Sequence, residues 1–153
     1  MPPHLSKKGP VQTEILYSIG EAADLLGVSA PTLRMYEREG LILPIRKPSR
    51  HRLYTEHDLE RIRCLREMIN QKKVSIAGIK SILSMIPCWK IKQCPEAVRR
   101  SCPAFETTDR PCWIVEDKPW NSSRADCRNC SVYVDTSDCL KVKHLVAEHT
   151  LTV

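Results

Sequence analysis

Between Tyr17 and Ile86 apolar residues recur every three or four positions in short bursts, each bounded by a residue that caps or breaks a helix. Ile19, Ala22, Ala23 and Leu26 form the first stripe, and Gly27-Val28 interrupts it. Ser29 then offers a cap for a second helix over Ala30 to Glu39. Pro31 lies in its first turn, where the missing N–H costs nothing, and Gly40 supplies a left-handed stop. The pattern buries Leu33 and Leu41 and turns Thr32, Arg34, Glu37 and Arg38 outward. Thr55 to Asp58 is a start signal for a third helix, which carries the stripe Leu59, Ile62, Leu65 and Ile69 and ends near Asn70. A fourth helix from about Ser75 aligns Ile76, Ile79, Leu83 and Ile86, then stops at Pro87.

Between the second and third helices lies a basic segment, Ile45 to Tyr54, with Arg46, Lys47, Arg50, His51 and Arg52 around the turn residues Pro48-Ser49. It reads as a short hairpin, and Tyr17 to Ile19 as a strand that pairs with it. A helix-turn-helix followed by a basic hairpin presents donors to base edges and to phosphates. The run TLRMYEREGLILPIRKPSRHRLYTEHDLERI resembles the winged-helix domain of the MerR family. Its members share T-x-R-x-Y-E-x-x-G-L-x-x-P-x-R, a wing ending in R-x-Y and a D-[LV] helix, matched here by Thr32, Arg34, Tyr36, Glu37, Gly40, Leu41, Pro44, Arg46, Arg52, Tyr54, Asp58 and Leu59. The resemblance covers about residues 15–86. It implies a sequence-specific regulator of the MerR type that binds a pseudo-palindromic operator in double-stranded DNA as a homodimer, with RNA polymerase as a further partner. The implied DNA contacts are Thr32, Arg34, Tyr36 and Arg38 on the second helix and Lys47, Arg50, Arg52 and Tyr54 on the wing; packing against the wing is an equal alternative for Tyr36.

Charge supports that division of labour. Residues 1–86 hold 14 Lys and Arg against 9 Asp and Glu, a net of +5, whereas residues 87–153 hold 10 against 9, a net of +1. No apolar run approaches the roughly 18 residues that cross a bilayer, and the start of the chain has no signal-peptide core, so a cytoplasmic protein is expected. Residues 1–14, with three prolines and no periodicity, read as a disordered arm.

The fold expected is mainly α: a winged helix-turn-helix of four helices and a short β-hairpin over residues 15–86, then a small, irregular, metal-stabilised cysteine-rich module over 87–139 and a tail over 140–153. The family's usual dimerisation helix is cut short at Pro87-Cys88-Trp89. Leu140, His144, Ala147 and Leu151 make only a poor helical seam in the tail, which its β-branched valines would also suit as a strand.

Of eight cysteines, Cys64 stands alone beside an apolar stripe and reads as a small hydrophobe, while seven fall between 88 and 139. A reducing compartment argues against permanent disulfides and for metal binding or redox sensing. The second half has few apolar residues beyond Trp89, Phe105, Trp113, Trp120 and Tyr133, so burial alone does not offset its ordering entropy and a cross-link is expected. The candidate ligands are Cys88, Cys94, Cys102, Cys112, Cys127 and Cys130, of which Cys127-x-x-Cys130 alone has the tight knuckle spacing. Cys139 is the least expected ligand. Cys88-Trp89 and Cys112-Trp113, with Cys94-Pro95 and Cys102-Pro103, hint at a pseudo-repeat, and the region resembles a cysteine-rich module appended to diverse bacterial regulators.

A structural zinc site, an iron–sulfur cluster and reversible disulfides all remain open. The regulator would then sense metal or redox state through this half; alternatively, it is a repressor in which the half is a structural, zinc-stapled dimerisation or partner-docking module. A thiol oxidoreductase built on Cys127 and Cys130 ranks below both, because no βαβ pattern surrounds the pair. No other catalytic set is present in the sequence, and the protein is not expected to be an enzyme.

Overall fold

The computed structural model describes residues 14–119 and 124–150, so most of the arm expected over residues 1–14 lies outside the described residues. The fold is mainly α, with one small antiparallel sheet near the start.

Strand β1 (Tyr17–Ser18) leads directly into α1 (Ile19–Leu26), which Ser18 and Glu21 open with a reciprocal capping box. Gly27, at φ 64°, turns the chain in the left-handed region. Ser29 caps α2 (Ala30–Arg38), with Pro31 in the first turn. Gly40 ends that helix at φ 73°, and a Cβ there would lie 2.3 Å from Ile114 Cγ2, so only glycine fits.

Strands β2 (Ile45–Arg46) and β3 (Arg52–Tyr54) form the wing, and β3 pairs with both β2 and β1 in the order β1-β3-β2. The hairpin closes through Lys47 and Arg50: Arg50 N–H donates to Lys47 O at 2.9 Å, and Lys47 N–H donates to His51 O at 3.0 Å. Pro48 follows Lys47 with its preset φ, and Arg50 takes the left-handed conformation, φ 66°, that resets the strand.

Helix α3 (Glu56–Asn70) starts on a second reciprocal capping box, Thr55 with Asp58, and α4 (Ile76–Ser84) starts on Ser75. Short helices follow: α5 (Cys88–Ile91), α6 (Glu96–Arg100), α7 (Pro103–Glu106), a 3-10 turn (Cys112–Ile114), α8 (Arg124–Arg128) and α9 (Ser131–Val134). The tail is the helix α10 (Cys139–Thr150), so of its two expected forms it takes the helical one. Pro87-Cys88-Trp89 and Pro111-Cys112-Trp113 each open a helical turn.

The cysteine-rich half does not stand on its own core. Leu33, Tyr36, Leu41, Ile62 and Ile79 belong to the same continuous apolar cluster as Cys88, Trp113, Cys127, Val132 and Tyr133. The expected shortage of apolar residues is met by borrowing the core of residues 17–86. Burial of large aromatic rings is worth on the order of 2 kcal/mol each, so that route offsets ordering entropy without requiring a metal. Trp113 lies edge-on to Tyr133 with ring centroids 5.1 Å apart.

Polar bonds lock the junction. Trp113 Nε1 donates to Gly40 O at 2.7 Å, and Leu43 N–H donates to the Tyr133 hydroxyl at 2.8 Å. Arg128 donates to both carboxylate oxygens of Asp58, at 2.8 and 2.7 Å, and to Leu43 O. Arg61, buried, donates to Tyr133 O and Thr136 Oγ1, with its guanidinium carbon 3.8 Å from the Tyr133 ring centroid. Burial pulls the Arg61 guanidinium below its ordinary pKa and pushes the Tyr133 phenol up.

Cys64 is not a lone hydrophobe. It forms a disulfide with Cys139 across 75 residues, Cα to Cα 5.6 Å, tying α3 to the first turn of α10. Spacing within either helix cannot reveal that pairing, because it joins separate elements brought together by the fold.

Candidate nucleic-acid interface

Helix α2 carries Arg34 and Arg38 on its exposed face, one turn apart, and among the described residues neither has an ion pair. Thr32 is half-buried, with its hydroxyl 2.9 Å from the capping Ser29 hydroxyl. Lys47, Arg50 and His51 are exposed at the wing tip. The structure therefore brings Arg34, Arg38, Lys47 and Arg50 to solvent on two adjoining elements.

The remaining expected contacts are placed differently. Tyr36 is 2% exposed and belongs to the core, as does Tyr54 at 0%. Burial pushes the Tyr54 phenol up to about 12, and its hydroxyl has no hydrogen-bond partner among the described residues. Both rings support the helix and wing from beneath.

Glu37, expected to face outward, is buried and accepts from Arg46 Nε and Nη2 and from Arg52 Nε. Arg46 and Arg52 lie opposite each other across the β2–β3 pair, so two like charges meet in register and the carboxylate between them neutralises the clash. This fastens the wing to α2. Alternation along α2 alone hides that role, because the wing folds back over a face that an isolated helix would leave wet.

The Glu37 carboxyl is raised by burial but lowered more by its bonds from Arg52 and Arg46, so it sits below the usual carboxylate range. A folded pKa below the unfolded one stabilises the fold above the ordinary value and loses that contribution as pH falls through the depressed value. Stability is expected to drop on acidification below about pH 4, and Glu37→Gln to remove that part of the dependence. Thermal melts of both proteins across a pH series check it; parallel curves would refute the assignment.

The other six cysteines take part in no disulfide. Cys88 accepts from the Cys112 thiol, which lowers the Cys88 pKa; the same bond and burial raise that of Cys112. Cys112, Cys127 and Cys130 border a cavity of about 10 Å³ beside buried Lys118, whose ammonium donates to Cys112 O at 2.9 Å and Val115 O at 2.7 Å. Cys102 packs apart with Ala104 and Val115, and Cys94 lies between α5 and α6. Among the described residues, no three His, Cys, Asp or Glu side chains converge as ligands of one ion would. The arrangement gathers four thiols, Cys88, Cys112, Cys127 and Cys130, in one region, and among the described residues they do not converge on a single point.

A helix-turn-helix with exposed arginines, backed by a three-stranded sheet whose hairpin projects basic residues, is a winged helix-turn-helix. Residues 17–86 match the family of MerR HTH family regulatory proteins. Over 70 residues the chain is 37% identical to a Streptomyces coelicolor protein named as the heat shock protein HspR, covering 46% of each. It is 39% identical over 70 residues to the Escherichia coli HTH-type transcriptional regulator MlrA, covering 45% of this chain and 28% of that one. A Haemophilus influenzae protein named as a heavy metal-dependent transcriptional regulator is 46% identical over 54 residues, 35% of this chain and 42% of its own. The matches thus span less than half the length of each relative. Residues 17–86 are a helix-turn-helix domain of the MerR family. No helix among the described residues is long and apolar enough to cross a membrane.

Proposed function

We propose that the protein is a transcriptional regulator that binds a pseudo-palindromic operator in double-stranded DNA as a homodimer, in the cytoplasm, with RNA polymerase as a further partner. The observation that carries this reading is the pair Arg34 and Arg38, exposed on the second helix of a MerR-family domain beside a basic wing tip. Arg34 and Arg38 reach base edges and adjoining phosphates, Thr32 approaches the backbone, and Lys47, Arg50 and the free end of Arg52 hold phosphates along the wing. Tyr36 and Tyr54 act beneath, by keeping α2 and the wing in register. The regulatory relatives support the same class of activity.

The cysteine-rich half, in this reading, passes its thiol or metal state to the DNA-binding half through the core they share. The clustering of Cys88, Cys112, Cys127 and Cys130 supports thiol chemistry, and the heavy-metal name of one relative supports a metal input. A second reading makes the half a structural docking module, and the large shared core favours it.

Arg34→Ala is expected to cost about 1–3 kcal/mol of operator binding with the fold unchanged. Fluorescence anisotropy with operator DNA measures it, and undiminished affinity in a folded variant would remove Arg34 from the interface. The same titration on Cys88→Ser separates the two readings of the second half: altered affinity favours sensing, unaltered affinity favours docking alone.

A further inference from the structure

Six of the eight cysteines are in no disulfide, whereas Cys64, in the MerR-family domain, and Cys139, the least expected ligand, are joined. The bond links the middle of α3, in the MerR-family domain, to the first residue of the terminal helix. Both sulfurs are half-buried and border two open grooves, so a small thiol or the active site of a reductase can reach them.

The bond holds a short helix at the edge of the core. Val142 touches the main core, whereas Val146 and Ala147 face an apolar groove of about 570 Å³, floored by Leu65, Met68 and Ile79. Leu140 is 60% exposed. A helix of 12 residues is marginal in water without tertiary support, and the cross-link supplies such support at its first turn.

We propose that Cys64–Cys139 is a reversible thiol–disulfide latch that holds α10 over the groove and is opened by a dithiol reductant. A reductant thiolate attacks one sulfur of the pair, forming a mixed disulfide and releasing the other sulfur as a thiolate that takes up a proton. The second reductant thiol, as its thiolate, then attacks the mixed disulfide, and the remaining cysteine leaves and is protonated. Two electrons and two protons pass to the pair, and the reductant departs as its own disulfide. A disulfide oxidant runs the exchange backwards. Opening frees α10 and bares the apolar groove between α3 and α4.

The latch does not rest on the proposed DNA binding, and its test uses no DNA. Full-length protein is denatured without reductant, alkylated and mapped by mass spectrometry, before and after treatment with dithiothreitol. The map is expected to show a linked Cys64–Cys139 peptide and six alkylated thiols before treatment, and all eight after it. Hydrogen exchange of the native protein is then compared in the two states. Amides of α10 are expected to exchange at least tenfold faster after reduction, with those of α1 and α2 unchanged.

Cys64→Ala and Cys139→Ala should each show the fast α10 rate with or without dithiothreitol; the α1 and α2 amides report whether either variant is folded. Absence of the linked peptide, or equal α10 rates in the linked and reduced states, would overturn the latch. Loss of protection in α1 and α2 together with α10 would also overturn it, since the bond would then be a staple for the whole fold.

Discussion

Asp58→Ala is expected to lower the unfolding free energy by about 3–5 kcal/mol, the range for removing one partner of a buried ion pair. The Asp58 side chain is 3% exposed and its partner Arg128 is 14% exposed. One carboxylate serves two structures: it accepts from Thr55 N–H at 2.8 Å to cap α3, and it takes both arms of the Arg128 fork from the cysteine-rich half. Alanine removes the cap and leaves a guanidinium largely enclosed, with Leu43 O as its remaining close acceptor. Urea denaturation followed by circular dichroism measures the loss. Asp58→Asn, which keeps a capping oxygen but not the charge, should fall between the two; a loss under about 1 kcal/mol for alanine would mean that water replaces the ion pair readily.

Trp113→Ala is expected to cost a similar amount, about 3–5 kcal/mol, for a different reason. The indole is 7% exposed, fills the space beside Gly40 and Tyr133, and satisfies the Gly40 carbonyl with its N–H. Truncation opens a cavity and strips a buried acceptor at the point where α2 ends. Trp113→Phe restores much of the volume and none of the hydrogen bond, so it should recover part of the loss. The combined Asp58→Ala and Trp113→Ala variant should fall short of the sum, because both support the segment 40–43: Trp113 bonds Gly40 O directly, and Asp58 positions Arg128, which donates to Leu43 O. Full additivity in denaturant melts would show that the junction is two independent contacts.

That junction marks where reading the chain by itself stops. The helices, their caps at Ser29, Thr55 and Ser75, the left-handed stop at Gly40 and the turn of the wing depend on residues within about four positions of one another. Such signals are legible because the atoms that satisfy them are neighbours along the chain. The exposed arginines of α2 were legible for the same reason. Glu37 was not, because its partners Arg46 and Arg52 reach it only after the hairpin folds over the helix. Neither was the interior place of Tyr54, and that of Tyr36 was only one of two equal readings, since a motif marks which residues recur together and not which side of them faces water. The pairing of Cys64 with Cys139, the seating of Trp113 on Gly40 and the meeting of Arg128 with Asp58 join positions 75, 73 and 70 residues apart. Local periodicity carries no information at that range. Composition marks a second half poor in apolar residues, but how it is packed is a tertiary matter: that half shares a core with the first, because desolvating Trp113 and Tyr133 on an existing apolar face costs less order than building a new one.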